Sequence, residues 1–210
     1  MAGMDRPPPP VATVLPYGDR ALLVEADDPT AVHVALERHP LPGQRELVPA
    51  ARTVLVVLDR APTDLDAAAV RRLAPETTAE LTSGPVVELP VVFDGPDLAD
   101  VARLTGRDVP ALVSGLVGVE LTVAFGGFAP GFGYLTGVPA ELQVPRLATP
   151  RTRVPAGSVG LAGPYLGAYP RASPGGWQLV GRTDAVLFDV ERDPPALLVP
   201  GTRVRLRQLD

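Results

Sequence analysis

The sequence predicts an α+β protein in which a small N-terminal α+β domain precedes a C-terminal all-β domain, a small barrel or sandwich. The chain has 210 residues and is 46% hydrophobic, which is enough to bury a core in one large or two small domains. It contains 21 Gly and 26 Pro without a Gly-X-Y repeat, a composition typical of turn-rich β structure. Strand and helix patterns alternate up to about residue 119, and short strand-like segments between turns follow.

The predicted domain limits follow from these changes in pattern along the chain. Residues 1–10, MAGMDRPPPP, form a predicted disordered tail because four consecutive prolines favour an extended conformation. The N-terminal α+β domain covers residues 11–90 and the barrel domain covers residues 91–210. The change in pattern lies somewhere between residues 85 and 120.

The first elements of the N-terminal domain are a hairpin and a helix. Apolar runs at Val11–Leu15 and Ala21–Ala26 flank a turn signal around Gly18 and predict two paired strands. Asp28 is a good N-cap, and the proline after it is tolerated in a first helical turn. A helix is therefore expected from this point to about Arg38.

A buried strand and a second helix follow. Thr53–Leu58 has the sequence TVLVVL, an apolar run typical of a strand inside a core. Thr63 can cap a helix that runs to Leu73, with Leu65, Ala69 and Leu73 on its apolar face. We expect these strands to form a mixed sheet between near neighbours in sequence.

From residue 86 onward, the predicted elements change from a mixture of helices and strands to short strands only. Val86–Phe93 predicts a strand, Asp97–Leu104 and Val109–Val117 predict short helices, and Val119–Phe125 predicts another strand. No helix is expected beyond this point. The later strand candidates are Ser158–Ala162, Trp177–Val180, Ala185–Phe188 and Val204–Leu206.

The missing residue types exclude several kinds of chemistry. The chain contains no Cys, Asn, Ile or Lys, and its two histidines are His33 and His39. It therefore has no thiolate nucleophile, no cysteine zinc site, no P-loop lysine and no lysine that could carry biotin. With two histidines, a multi-histidine site is not expected, and we predict no metal.

The charge distribution bears on the class of ligand. Residues 1–120 carry 10 Arg and 18 acidic residues, a net charge of −8, whereas residues 121–210 carry 9 Arg and 6 acidic residues, a net charge of +3. The isoelectric point near 5.1 argues against a nucleic-acid-binding domain. No apolar run is long enough for a membrane span and no secretory signal is visible, so a cytoplasmic location is expected.

Three glycine-rich segments, residues 126–135, 149–160 and 169–183, are the candidates for a ligand site. Each of their glycines and aromatic residues, taken alone, is better explained by turns or a core than by a ligand site. Residues 125–183 nevertheless carry five Arg and one acidic residue, Glu141, and this local charge favours an anion site. In this hypothesis aromatic rings wall a pocket, Arg151 and Arg182 orient a carboxylate or phosphorylated intermediate, and the N–H groups of Gly157 and Ser158 stabilise an oxyanion. The predicted substrate-binding residues are Phe132, Tyr134, Arg151, Arg153, Gly157, Ser158, Tyr169, Trp177 and Arg182.

The same segment lacks the groups that catalyse hydrolysis unaided. Residues 125–183 contain no His, Cys or Lys, so Ser158 and Ser173 have no base to activate them. The sequence identifies no catalytic residue, and another chain is expected to complete any active site. Phe132, Tyr134 and Trp177 are the predicted anchors of that interface, with the barrel core as the alternative for Trp177.

These segments also resemble a known family. GFAPGFGYL (127–135), TPRTRVPAGSVGLAG (149–163) and YPRASPGGWQLVGRT (169–183) resemble the motifs of the 5-oxoprolinase B subunit, also called allophanate hydrolase subunit 1, and of the related kinase inhibitor KipI. Weaker similarity lies at residues 18–25, 89–98 and 197–204, so the resemblance covers about residues 11–207.

The resemblance implies a fold and a shared activity. It implies a C-terminal cyclophilin-like β-barrel and the carboxyltransferase subdomains C and D. It further implies that this chain pairs with a homologous partner, the C subunit, then with the A subunit, and that the complex opens 5-oxoproline to glutamate with ATP. ATP is used by the complex and need not bind this chain, and biotin is not carried on it.

A second function remains open from the sequence. Where family members carry a His, a Tyr and a Gln-Thr pair, this chain has Leu116, Leu121, Tyr165 and Leu166. Apolar side chains at these positions could form a docking surface. The alternative hypothesis is therefore a non-catalytic, KipI-like inhibitor of a sensor histidine kinase.

Overall fold

The computed structural model describes residues 13–73 and 86–209 of the chain. The chain divides into two compact units between residues 80 and 81. The predicted tail and the first two residues of the predicted hairpin lie outside the described residues. The division precedes the limit predicted at residue 90, because the strand over Val86–Val92 pairs within the second unit.

The N-terminal unit contains, within residues 13–73, a four-stranded sheet with the order β1-β2-β4-β3. Its strands are β1 (Thr13–Tyr17), β2 (Ala21–Glu25), β3 (Gln44–Pro49) and β4 (Thr53–Leu58). The predicted hairpin is confirmed, with Thr13 opposite Glu25 and Tyr17 opposite Ala21. All three strand pairs are antiparallel, so the expected mixed sheet is wrong. Strand β3 was not predicted because its sequence, QRELVP, is largely polar and lies at the edge of the sheet.

Two helices pack in this unit, α1 (Pro29–Arg38) and α2 (Asp64–Arg72). Both caps are as predicted: the Asp28 side chain accepts a hydrogen bond from the Ala31 N–H, and Thr63 forms a capping box with Asp66. The apolar face predicted for α2 is wrong at Leu65, which is 77% exposed, while Asp66 and Val70 are buried. Ala69 and Leu73 are partly buried and pack against the core, as predicted. The capping box and an ion pair to Arg60 turn the Asp66 side of the helix inward.

The second unit contains, within residues 86–209, a closed barrel of seven strands. In chain order the strands of the barrel are β5 (Val86–Val92), β6 (Glu120–Gly126), β7 (Gly133–Thr136), β9 (Ser158–Ala162), β10 (Tyr165–Ala168), β12 (Gln178–Arg182) and β13 (Arg203–Leu209). A separate two-stranded sheet is formed by β8 (Arg151–Val154) and β11 (Ser173–Gly175). The helices of this unit are α3 (Leu98–Leu104) and α4 (Val109–Val117), with a short 3-10 turn at Ala140–Leu142.

The barrel confirms the predicted fold class and closes by a pairing that the sequence pattern does not reveal. Its neighbour order is β10-β7-β6-β13-β5-β12-β9, and β9 pairs with β10 to complete the circle. Strand β13 pairs in parallel with β5, from Arg203 opposite Val86 to Leu209 opposite Val92. The barrel therefore joins two segments that are far apart in the sequence.

One strand prediction in this unit is wrong. Ala185–Phe188 is irregular, and Phe188 forms a single isolated bridge with Ala196. The guanidinium of Arg192 donates hydrogen bonds to the carbonyls of Val186 at 3.1 Å and Pro195 at 2.9 Å. The Val186 carbonyl is thus satisfied by a side chain, and the Pro195 carbonyl by this side chain and by the Asp189 N–H at 3.0 Å.

The barrel core is built from leucine and valine side chains of the strands together with α3 and α4. Leu116, Leu121 and Leu166 are all fully buried in this core.

Across residues 13–73 and 86–209, no helix combines the length and the apolar character that crossing a membrane would require.

Candidate functional site

A cavity of about 600 Å³ opens in the barrel unit and is walled mainly by aromatic rings. We call it the aromatic pocket. Its rings are Phe128, Phe132, Tyr134, Tyr165, Tyr169 and Trp177, and Arg146, three prolines, two glycines and one alanine complete the lining. A volume of this size is in the range of pockets that hold small molecules.

The barrel topology brings five of these rings together from the ends of β7, β10 and β12. Phe132 precedes β7 and Tyr134 lies on it, Tyr165 begins β10 and Tyr169 follows it, and Trp177 precedes β12. Strands β7 and β10 pair directly, and β9 pairs with both β10 and β12. Residues that are far apart in the barrel sequence therefore meet at one site.

Phe132 is the central ring of the pocket wall. Its ring centroid lies 5.0 Å from that of Tyr134, 5.2 Å from that of Tyr169 and 5.5 Å from that of Trp177, and each pair meets edge to face. Edge-to-face pairs contribute about 0.5–1.5 kcal/mol each beyond burial. The rings hold one another in place, so the wall is formed before a ligand arrives.

Phe128 stands at the mouth of the pocket in an unusual backbone conformation. It has a φ of 66°, and its side chain is 56% exposed. The turn that contains it is closed by hydrogen bonds from the Gly127 N–H to the Phe132 carbonyl at 3.1 Å and from the Phe132 N–H to the Ala129 carbonyl at 3.0 Å. A bulky residue with positive φ is strained, and such strain concentrates at functional sites.

The polar groups of the pocket are hydrogen-bond donors. Within the part of the chain that the structure describes, the hydroxyls of Tyr134, Tyr165 and Tyr169 make no hydrogen bond. Burial raises the pKa of Tyr134 and Tyr169, and the positive charge of Arg146 opposes this rise. Both phenols therefore stay protonated at neutral pH and can donate to a ligand oxygen.

Arg146 supplies the charge of the pocket and was not among the predicted site residues. Its guanidinium lies over Gly176, where an added Cβ would be 3.6 Å from Nη2. It forms no ion pair with any residue of 13–73 or 86–209. The excess of arginine in residues 125–183 was the sequence signal for it, but Arg146 itself lies outside the glycine-rich segments.

Arg151 has a different role from the predicted one. Its Nη2 lies 2.6 Å from Oδ1 of Asp97, and its Nη1 donates to the Trp177 carbonyl at 3.3 Å. The second carboxylate oxygen of Asp97 accepts a hydrogen bond from the Leu179 N–H at 2.6 Å. Arg151 thus neutralises a buried carboxylate that joins the start of α3 to β12, and it does not line the pocket.

The other predicted anion-binding groups also lie outside the pocket lining. Arg182 pairs with Asp94 at 2.9 Å, and Arg153 is exposed on β8. The Gly157 N–H donates to the Tyr169 carbonyl at 2.7 Å, and the Ser158 N–H faces the Pro155 carbonyl at 3.4 Å. The predicted oxyanion site at Gly157 and Ser158 is therefore wrong, because both N–H groups point at carbonyls of the chain itself.

The structure also corrects the predicted docking residues. Phe132 and Trp177 are 3% and 7% exposed, so neither can anchor a partner, whereas Tyr134 is half-buried in the pocket wall. Leu116 and Leu121 are fully buried and cannot form the surface that motivated the kinase-inhibitor alternative. Of the four altered positions, only Tyr165 reaches the aromatic pocket.

The aromatic pocket can bind and orient a ligand, but its described lining offers no general base. Among the described residues that line it, none is His, Cys, Lys, Asp or Glu. No group of three or more His, Cys, Asp or Glu side chains suited to a metal ion occurs within residues 13–73 and 86–209. What the geometry supplies is an apolar wall, several donors and one positive charge.

Comparison with known proteins gives consistent matches. Residues 12–198 match the family described as carboxyltransferase domain, subdomain C and D. The chain is 41% identical to the 5-oxoprolinase B subunit of Escherichia coli O157:H7, over 90% of this chain and 92% of that protein. It is 36% identical to the 5-oxoprolinase B subunit of Bacillus subtilis (strain 168), over 83% of this chain and 80% of that protein. Among solved structures, a conserved uncharacterized protein of Pyrococcus horikoshii matches with a TM-score of 0.58 and 32% identity, over 94% of this chain and 98% of that chain.

Proposed function

The chain belongs to the carboxyltransferase domain family of subdomains C and D, and we propose that it is the B subunit of an ATP-dependent 5-oxoprolinase. In this role it takes part in opening 5-oxoproline to L-glutamate and is active only with its partner subunits. The similarity to two 5-oxoprolinase B subunits, each over at least 80% of both chains, supports this choice. Allophanate is the alternative substrate for a complex of the same type.

The observation that carries the proposal is the composition of the aromatic pocket. It combines six aromatic rings and one arginine with no nucleophile and no general base among its described lining residues. Such a site can hold a small ring and fix its orientation, which lowers the barrier by positioning. It cannot by itself deliver water to an amide carbon.

The reaction divides naturally between this chain and its partners. Hydrolysis of 5-oxoproline breaks the ring C–N bond, adds water across it, and leaves an amine and a second carboxylate. The pocket residues of this chain bind the ring, exclude water from its faces and orient the carbonyl. The activation by ATP and the proton transfers are assigned to the other subunits, in the cytoplasm.

The proposed partners are the homologous C subunit, which binds first, and the A subunit. The relatives are named as one subunit of an enzyme, which describes a multi-subunit complex, and this chain shares their family. Exposed apolar side chains lie close to the pocket: Phe128 stands at its mouth, and Phe188 packs beside the same turn at Gly131. A partner that covered these side chains would also close the pocket and supply the missing groups.

Reconstitution tests the proposal directly. The isolated chain, the A and C subunits without it, and all three together are each supplied with ATP and either 5-oxoproline or allophanate. We expect release of glutamate from 5-oxoproline only when all three are present. Turnover by the isolated chain, or full turnover by the two partners without it, would contradict the proposal. If the three subunits together hydrolyse allophanate but not 5-oxoproline, allophanate is the substrate of the complex.

A further inference from the structure

We infer that the aromatic pocket selects small ring compounds that carry one carboxylate, and that Arg146 is the residue that recognises this carboxylate. The inference deepens the proposed function and rests on it for the natural ligand, because 5-oxoproline is such a compound. The site itself rests on the geometry of the pocket alone.

The backbone at Arg146 is fixed by hydrogen bonds of the residues on either side of it. The Gln178 Nε2 donates a hydrogen bond to the Pro145 carbonyl at 3.3 Å, and the Leu147 N–H donates to the Gly176 carbonyl at 2.8 Å. The backbone is thus tied on both sides of Arg146 to the segment that carries Trp177. Arg146 itself is exposed, and its guanidinium reaches the pocket lining from this fixed backbone. From there a guanidinium can meet a carboxylate with two parallel hydrogen bonds.

The charge balance of the pocket favours an anion over a cation. Aromatic rings alone can bind cations through their faces, but a guanidinium in the same lining repels a cationic ligand. The other arginines of the nearby segments that form ion pairs, Arg151 and Arg182, are already neutralised by Asp97 and Asp94. Arg153 and Arg171 do not line the pocket, so among its described lining residues Arg146 carries the charge that a ligand meets.

The remaining polar groups complement the oxygens of such a ligand. The protonated hydroxyls of Tyr134 and Tyr169 lie close enough to Arg146 to be influenced by its charge. They can donate to the second face of a carboxylate or to a ring carbonyl. The edge-to-face arrangement of Phe132, Tyr134 and Trp177 leaves ring surfaces against which a small ring can pack.

The test uses the fluorescence of Trp177, which is the only tryptophan in the sequence and lies in the pocket wall. The full chain is titrated with four probes that differ in one feature each. They are 5-oxoproline, its primary amide, 2-pyrrolidinone, which lacks the carboxylate, and cyclopentanecarboxylate, which lacks the lactam. Each titration is repeated with R146Q and with the control R103Q, which removes an exposed arginine of α3 outside the pocket.

We expect the two carboxylates to change the fluorescence of Trp177 and to bind at least about tenfold more weakly to R146Q, since a hydrogen-bonded charge is lost. R103Q should bind them like the unaltered chain, and the two uncharged probes should bind weakly to all three proteins. Equal binding of carboxylates by R146Q, equal binding of the uncharged probes, or no binding of either carboxylate would overturn the inference. If cyclopentanecarboxylate binds through Arg146 but the complex does not hydrolyse 5-oxoproline, the site stands and the proposed function fails.

Discussion

Phe128 places an aromatic ring at the pocket mouth at the cost of an unfavourable backbone conformation. Its φ of 66° lies in the left-handed region, which costs L-residues roughly 1–2 kcal/mol. In return the ring meets Phe132 and Tyr169 at 5.4 and 6.1 Å between centroids. We interpret this residue as one retained for binding and not for stability.

A pair of substitutions separates the two effects. Phe128→Gly and Phe128→Ala both remove the ring, but only glycine adopts a positive φ without strain. We expect the glycine variant to be more stable than the alanine variant by about 1 kcal/mol in urea unfolding. Both should bind 5-oxoproline about equally weakly in the Trp177 titration. A more stable alanine variant would show that the turn does not hold Phe128 in the left-handed region.

Arg151 is expected to act on stability. Replacing it with alanine leaves the carboxylate of Asp97, 6% exposed, without its ion-pair partner. The free energy of unfolding should fall by about 3 kcal/mol, the cost of leaving a buried charge without its partner. Arg153→Ala on the same strand is the control and should change it by less than about 0.5 kcal/mol. A normal stability of Arg151→Ala together with lost ligand binding would restore the original substrate-binding assignment.

Four of the six aromatic residues of the pocket were predicted from the sequence, whereas Phe128, Tyr165 and the arginine were not. Phe132, Tyr134, Tyr169 and Trp177 stand out because rings in glycine-rich loops are conspicuous, and all four line the pocket. Which arginine faces the pocket depends on which acidic residues pair with the others. Asp97 is 54 positions from Arg151 in the chain, and no local pattern reveals that contact.

At the scale of elements, a buried carboxylate anchors the first turn of helix α2. Asp66 accepts hydrogen bonds from Arg60 at 2.7 and 2.8 Å and from the Thr63 N–H at 2.8 Å. The Arg60 guanidinium, helped by Thr63 and against the effect of burial, holds the pKa of Asp66 well below its ordinary value of 3.8. The ionised form therefore stabilises the fold above that ordinary value, and the stabilisation is lost as the pH falls further.

This arrangement predicts how the stability of an Asp66→Asn variant depends on pH. At about pH 6 the variant should be less stable than the unaltered chain by about 2 kcal/mol, because the ion pair is lost. The difference should shrink towards about pH 3, where the unfolded chain of the unaltered protein takes up a proton. Urea unfolding followed by circular dichroism measures both values. A difference that stays constant with pH would mean that Asp66 has an ordinary pKa.

The elements that local patterns predict are those with caps or continuous apolar runs. Helix α1 begins after Asp28, and β4 is the apolar run Thr53–Leu58, as expected. Strand β3 was not predicted because it is a polar edge strand. Ala185–Phe188 was wrongly predicted as a strand, and its Val186 and Phe188 are exposed in a loop. In both cases the neighbours of the segment, and not its own sequence, decide its structure.

At the scale of the whole molecule, the fold class was predictable and the strand order was not. The dense turns and the loss of helices after residue 119 indicate a barrel, and a closed barrel is present. The parallel pairing of β13 with β5 joins residue 203 to residue 86, and nothing in either strand specifies that partner. The pocket depends on two other pairings, β7 with β10 and β9 with β12, which bring its rings together.

The central claim is that this pocket holds the substrate of a shared active site, with Arg146 on the carboxylate. Steady-state turnover of 5-oxoproline by the reconstituted complex tests it most directly, with the unaltered chain, R146Q and R103Q compared at equal complex concentration. We predict that R146Q lowers kcat/KM by about tenfold or more, chiefly through a higher KM, while R103Q leaves it unchanged. Equal kcat/KM for R146Q and R103Q would place the substrate elsewhere and contradict the claim.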